Sequence, residues 1–332
     1  MRTAPPSQCD TRPRGPLRVD AIVIGRNEGT RLLACLDSLA GQVQRIIYVD
    51  SGSTDGSVAQ AEARGAEVVA LDMSRPFTAA RARNTGLQHL GVSGTPGLVQ
   101  FIDGDCVLDT GWLAQATDFL AHHPDVAVVC GRRRERAPEA SVYNWLCDQE
   151  WNTPIGETRA CGGDALMRRD ALLAVGGYRD TLIAGEEPEL CVRLRHAGWR
   201  IWRLDHEMTL HDAQMFRFSQ WWNRTRRAGH AFAEGAFLHG APPERHWVTE
   251  TRRAIVWGAL LPLLILLSAI VSPLFAAAVA LLYPLQFLRL SRRMRPIAAF
   301  YSVLGKCPEA LGVIEFHLNR LRGSQRDLIE YK

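Results

Sequence analysis

The sequence predicts an α/β fold built on a mostly parallel sheet, followed by a C-terminal membrane-associated helical hairpin. Three observations carry that reading. Short β-branched runs alternate with segments of helical period from Val19 to Cys130, the pattern of βαβ units with right-handed crossovers. The stretch from Ala254 to Leu288 holds no charged residue, more than the roughly 20 apolar residues that a membrane span needs. Carboxylates recur where predicted strands end, the edge at which open α/β sheets take ligands.

The elements follow in order. Val19 to Ile24 is a first strand, and Leu32, Leu33, Leu36 and Leu39 space a helix over 30–39. Arg45 to Asp50 is a second strand, and the turn Ser51 to Gly56 leads into a short helix ending near Arg64. Glu67 to Leu71 is a third strand, Thr78 to Leu90 a helix, and Leu98 to Ile102 a fourth strand. A helix over 111–122 and strands over 126–130 and 200–204 complete the pattern. Prolines 262, 273 and 284 interrupt the uncharged stretch, and Ser272-Pro273 divides it into two halves. Arg252 and Arg253 flank one end, and Arg289, Arg292, Arg293 and Arg295 the other. Positive charge at both ends fits a two-pass hairpin with both ends in the cytoplasm; a re-entrant hairpin fits almost as well. Apolar residues between Ile297 and Arg322 recur with helical spacing, as in a helix lying on the membrane surface or packed on the preceding domain.

The expected organisation is a disordered leader at 1–17, a catalytic domain at 18–235, a linker at 236–253, the transmembrane or re-entrant hairpin at 254–290 and an amphipathic segment at 291–332. The leader lacks the apolar core of a secretory signal. The eight cysteines form no Cys-x-x-Cys pair, which argues against a zinc knuckle and a disulfide framework and for reduced thiols. A net charge of +4 goes with no nucleic-acid partner.

The chemistry starts at Asp103-Gly104-Asp105. Two carboxylates at a strand end suit a hard divalent cation, which is commonly held by one or two carboxylates and substrate phosphates. A dinucleotide-binding fold competes, but it wants Gly-x-Gly-x-x-Gly after the first strand, and Gly25-Arg26-Asn27-Glu28-Gly29 does not supply it.

Taken together, Val23 to Glu28, Val49 to Ser57, Ala80 to Gly86, Asp103 to Asp105, Cys161 to Arg169, Val175 to Tyr178 and Gly185 to Arg195 resemble a family-2 glycosyltransferase with the GT-A fold, that of nucleotide-diphospho-sugar transferases. The resemblance covers about residues 18 to 212. It implies a nucleotide-diphospho-sugar donor contacted by Glu28 and Asp50 at base and ribose, and by Arg81 at the nucleotide or diphosphate. Asp103 would reach the ribose or the metal, and Asp105 would ligate Mg²⁺ or Mn²⁺. Where the family carries a Glu-Asp pair this chain has Glu186-Glu187; Glu187 matches the catalytic base, with Glu186 and Glu189 close by. His211 is either a further metal ligand or a structural histidine. Gln220 to Arg227 has the residues of a processive-synthase motif in the wrong order, so processive polymerisation is not expected.

The expectation is therefore a metal-dependent, inverting glycosyltransferase at the cytoplasmic face of the cell membrane, acting on a saccharide or lipid-linked acceptor. Two alternatives stand beside it: a nucleotidyltransferase, and an inactive scaffold in a polysaccharide assembly complex.

Overall fold

A computed structural model describes residues 18–91 and 97–323. The expected leader lies outside them, as do the last residues of the expected C-terminal segment. Strand β1 (Arg18–Gly25) lies between β2 (Ile46–Asp50) and β4 (Gly97–Asp103), and β3 (Glu67–Ala70) flanks β2, all parallel. Helices α1 (Thr30–Leu39), α2 (Ser57–Glu62) and α3 (Ala79–His89) make the connections. Ala21, Ile22, Val23, Phe101 and Ile102 are fully buried, as expected of strands covered on both faces. Leu32, Leu36 and Leu39 bury the apolar face of α1. Thr78 starts α3 by accepting the Arg81 N–H at 3.1 Å.

Beyond β4 the sheet is mixed. Its order is β3-β2-β1-β4-β8-β6-β9-β5. Strand β8 (Ala165–Arg168) runs antiparallel to β4 and to β6 (Val126–Glu135), and β9 (Arg200–His211) runs parallel to β6. Strands β5 (Cys106–Leu108) and β7 (Gly156–Thr158) pair antiparallel with β9. Strands β6 and β9 outrun the expected 126–130 and 200–204. Their distal halves, 131–135 and 205–211, are rich in charge, and an apolar-run criterion misses such strands. His211 consequently ends a strand instead of following one.

Strands β1, β2 and β4 deliver their ends to one edge. Gly25 pairs with Asp50 and Ile24 with Asp103, so both aspartates flank the end of β1. Helices α4 (Trp112–His122), α5 (Val142–Glu150), α6 (Arg169–Ala174) and α7 (Glu186–His196) pack around the second half of the sheet. The described cysteines are free thiols; Cys161 and Cys191 come to 3.7 Å between sulfurs, far beyond the roughly 2.05 Å of a disulfide.

Helix α8 (Phe218–His239) leads out of this body. Three helices follow that are long and apolar enough to cross a membrane: α9 (Val248–Val271), α10 (Pro273–Ser291) and α11 (Pro296–Leu321). Ser272 separates the first two. Its backbone is extended and its hydroxyl caps α10, whose first residue is Pro273. Ile270, Val271 and Leu274 around this turn are more than four-fifths exposed, a patch that water would not tolerate cheaply. The Tyr283 hydroxyl donates to the Trp257 carbonyl at 2.6 Å and ties the two helices together. Helix α11 packs on α8 through Val313 and Phe316 against Ala233, and Arg226 pairs with Glu315 at 2.6 Å. Its other face leaves Leu311, Ile314, Leu318 and Leu321 exposed. The stretch 236–253, expected as a linker, contains the end of α8, a loop at 240–247 and the start of α9.

Candidate functional site

The site is built on the edge where β1, β2 and β4 end. Asp50 is buried and held in its own turn: its carboxylate accepts from the Tyr48 hydroxyl and from the Gly52 and Ser53 N–H groups, each at 3.0 Å. The facing loops are cross-braced. The Asn27 side chain accepts from the Thr54 N–H at 2.7 Å, and Asp55 accepts from the Gly29 N–H at 3.0 Å. Glu28 lies beside this loop and pairs with Arg31 at 2.7 Å. Arg81, expected at the nucleotide, is buried and donates to the carbonyls of Asp72, Arg75 and Pro76, so it braces the loop after β3.

The carboxylates of β4 and α7 meet around Arg83, a residue to which the sequence reading assigned no role. Its guanidinium reaches Asp103 at 3.0 Å, Glu186 at 2.8 Å and Glu187 at 2.7 Å, and only 2 % of the residue is exposed. Burial opposes that positive charge, but Glu187, Asp103 and Glu186 outweigh it and hold the group protonated. Glu187 differs from an ordinary glutamate. Burial, and then the neighbouring Glu186 charge, push its carboxyl up to about 7, with Arg83 pulling the other way. Glu189 is spoken for: Arg193 forks onto it, and Arg179 and His239 add further contacts. These partners outweigh the cost of burial and leave its carboxyl below the usual range. The acidic first turn of α7 thus divides into one structural carboxylate and a pair bound to Arg83.

Gly163 lies against this cluster. A Cβ on it would lie 2.8 Å from the Arg83 guanidinium and 3.2 Å from both Asp103 and Glu187. Gly185, just before Glu186, has φ +79°, and a Cβ there would meet the Trp247 ring at 2.6 Å. The loop before α9 therefore packs directly on the start of α7. Glu244 in that loop fastens it, pairing with Arg195 at 2.8 Å and Arg159 at 2.5 Å.

Asp105 and His211 lie together although more than a hundred residues separate them. The β5–β9 pairing sets Cys106 opposite His211, which brings His211 Nε2 to 3.4 Å from Asp105 Oδ2. Glu135 at the end of β6 stands 3.4 Å from His211 Nδ1 and orients the ring, as the outer partner of a metal-ligating histidine does. Trp151 packs edge-on against the ring at 4.8 Å. Burial and the Arg133 charge lower the His211 pKa, so the imidazole stays neutral with a lone pair to give. Ligand atoms of Asp105, Cys106 and His211 lie within 4.8 Å of one another, as do those of Asp103, Cys106 and Asp164. Burial raises the Cys106 thiol well above its ordinary range, so it remains protonated and is a poor ligand. Asp164 is committed elsewhere: it accepts from the Asp103 N–H at 3.0 Å and the Thr209 hydroxyl at 2.7 Å and pairs with Arg133. Oxygen from Asp105 and neutral nitrogen from His211, with Asp103 nearby, suit Mn²⁺ or Mg²⁺. Arg133 completes this corner, 3.3 Å from both Asp103 and Asp164 and stacked 4.9 Å from the Trp151 ring.

The edge therefore gathers Asp50, Asp103, Asp105, His211, Glu186 and Glu187. Arg83, Arg133, Glu135 and Gly163 went unassigned in the sequence reading; the only signal for two of them was their place within matched motifs.

Residues 20–174 match the model of the family described as "Glycosyl transferase family 2". The succinoglycan biosynthesis protein ExoA of Rhizobium meliloti is 26% identical over 268 residues, 76% of this chain and 80% of that protein. The pre-mycofactocin glycosyltransferase of Mycobacterium tuberculosis is 29% identical over 217 residues, 60% of this chain but 44% of that protein. An uncharacterized glycosyltransferase of Mycobacterium bovis, Mb0553, is 31% identical over 171 residues, 48% of this chain and 72% of that protein. Among solved structures, the mannosyltransferase PcManGT of Pyrobaculum calidifontis, in complex with GDP-Man and Mn²⁺, superposes with a TM-score of 0.63 at 20% identity over 95% of this chain and 92% of that one. That likeness extends through the C-terminal helices and identifies the fold as GT-A.

Proposed function

Because the chain belongs to glycosyltransferase family 2, we propose that this site runs a metal-dependent, inverting sugar transfer from a nucleotide-diphospho-sugar to a saccharide or lipid-linked acceptor. The observation that carries the reading is Glu187: a carboxyl poised near neutrality, across Gly163 from Asp103, with Asp105 and His211 on the same edge. Asp50 and Glu28 are the residues for ribose and base. Asp105 and His211, with Asp103, would hold Mn²⁺ or Mg²⁺; when bound, such an ion offsets the charge developing on the departing diphosphate.

The acceptor hydroxyl gives its proton to Glu187 while its oxygen forms a bond to the anomeric carbon. The bond from that carbon to the diphosphate oxygen breaks on the opposite face, and its electron pair leaves with the nucleoside diphosphate. One such displacement inverts the anomeric centre. A base that titrates near the working pH suits this task. Arg83 keeps Glu186 and Glu187 in place and limits their mutual repulsion. A cytoplasmic catalytic domain would meet the nucleotide-sugar supply, and the apolar helices would bring it to a membrane-borne acceptor.

The test is a thermal-shift screen of nucleotide-sugars with Mn²⁺ or Mg²⁺, followed by product analysis. Free nucleoside diphosphate together with a product of inverted configuration is the expected result. Pyrophosphate release would identify a nucleotidyltransferase. The absence of both donor binding and turnover would identify a scaffold.

A further inference from the structure

Between Glu250 and Glu309 the chain contains no Asp or Glu, yet it carries Arg252, Arg253, Arg289, Arg292, Arg293 and Arg295. All six are exposed, and among the described residues none is paired with a carboxylate. The catalytic region treats arginine differently even on its surface, as in Arg45–Glu67, Arg134–Glu207, Arg200–Glu157 and Arg224–Glu150.

The six also sit at one end of the hairpin. Helix α9 leaves the body at Trp247, whose ring packs on Gly185, and Arg252 and Arg253 lie in its next turn. Helix α10 returns beside α9, joined by the Tyr283–Trp257 hydrogen bond, and its basic end follows two turns later. Arg295 stacks 5.6 Å from the Trp145 ring of α5, and Tyr301 packs 4.9 Å from the Trp221 ring of α8. The uncharged Ser272-Pro273 turn is at the other end. The arginines therefore form a collar between the catalytic body and the apolar helices.

We propose that this collar binds the head groups of anionic phospholipids and so seats the catalytic body on a negatively charged membrane surface. The inference rests on the reading of α9 and α10 as membrane helices, and it needs no assumption about the donor or the reaction. Charge complementarity selects the occupant: uncompensated cations next to an apolar span meet a leaflet surface whose lipids supply the missing anions. Each arginine near such a surface is worth about fivefold in partitioning at ordinary ionic strength.

The full chain, reconstituted in nanodiscs of equal parts phosphatidylcholine and phosphatidylglycerol and released for native mass spectrometry, is expected to retain phosphatidylglycerol preferentially. R289Q/R292Q/R293Q leaves Arg252, Arg253 and Arg295 in place and should cut that enrichment by on the order of a hundredfold. High salt should erode the wild-type preference in the same way. Equal retention of the two lipids by the wild type, or unchanged preference in the triple variant, overturns the proposal. Displacement of the lipid by inorganic phosphate would mark a soluble-phosphate site and also overturn it. Release of the chain from membranes by an alkaline wash would instead defeat the membrane reading beneath it. A chain that resists the wash but shows no lipid preference defeats the collar alone.

Discussion

Gly163→Ala adds one methyl group where Arg83, Asp103 and Glu187 come together. The new Cβ would lie 2.8 Å from Arg83 Nη2 and 3.2 Å from Asp103 Oδ2 and Glu187 Oε1. A flexible arginine would swing aside at little cost. Arg83 is not flexible: it is 2 % exposed and bound to three carboxylates at 2.7 to 3.0 Å. Losing one partner of such a buried pair costs about 3–5 kcal/mol, so the methyl is accommodated by smaller shifts at an overpacking cost of roughly 1–3 kcal/mol. The fold survives this, but Arg83, Asp103 and Glu187 must give way around the methyl. Moving reacting groups by about 1 Å costs on the order of a hundredfold in rate. The variant should therefore melt slightly below wild type, still bind Mn²⁺ by calorimetry, and lose transfer by on the order of a hundredfold. Gly162→Ala is the control, because nothing lies within 4 Å of its Cβ. If Gly163→Ala transfers sugar as fast as the wild type, the reaction does not occur beside this glycine and the site assignment fails.

Glu187→Gln should keep donor affinity and lose transfer by about 10²–10⁴-fold, the usual worth of a general base; near-normal turnover would move the base to Glu186. Because Glu187 accepts a proton only when ionised and its carboxyl sits at about 7, the transfer rate should climb with pH through neutrality and then level off. A pH–rate profile flat across neutrality would refute the assignment. Asp105→Asn and His211→Ala should each weaken Mn²⁺ binding in calorimetry, and Glu135→Gln should weaken it by about 10–100-fold through His211; unchanged affinity in all three would place the metal elsewhere. Glu244→Gln should lower stability at neutral pH by about 1 kcal/mol, solvent screening of the exposed Arg159 included, because Arg195 and then Arg159 hold this carboxyl down to about 2. A carboxyl with a depressed native pKa stabilises above its unfolded pKa and stops doing so as pH falls toward the native one. The gap between wild type and variant in urea titrations should therefore close on acidification, and a gap that persists would mean the pairing with Arg195 and Arg159 is not its source.

Local physics made much of the molecule legible from its residues alone. The apolar period of α1, the apolar runs of β1, β2 and β4, and the uncharged stretch broken at Ser272-Pro273 each act over a few neighbours, so their pattern survives in one dimension. The carboxylates of Asp50 and Asp103 were readable for a related reason: parallel strands must end on a common edge, and sequence places the acids at those ends. The division of labour among Glu186, Glu187 and Glu189 was not readable, because three glutamates within four residues differ in which partners reach them through space. Arg83, Arg133 and Glu135 were hidden likewise, since a charged side chain on a helix or strand looks solvated until its partners arrive from elsewhere. His211 met Asp105 only through the antiparallel pairing of β5 with a strand whose second half is too polar to announce itself. Sequence determined the elements and the edge they share; non-local packing decided which charges lose their water there, and desolvation is what lifts the Glu187 carboxyl toward neutrality within the acidic cluster.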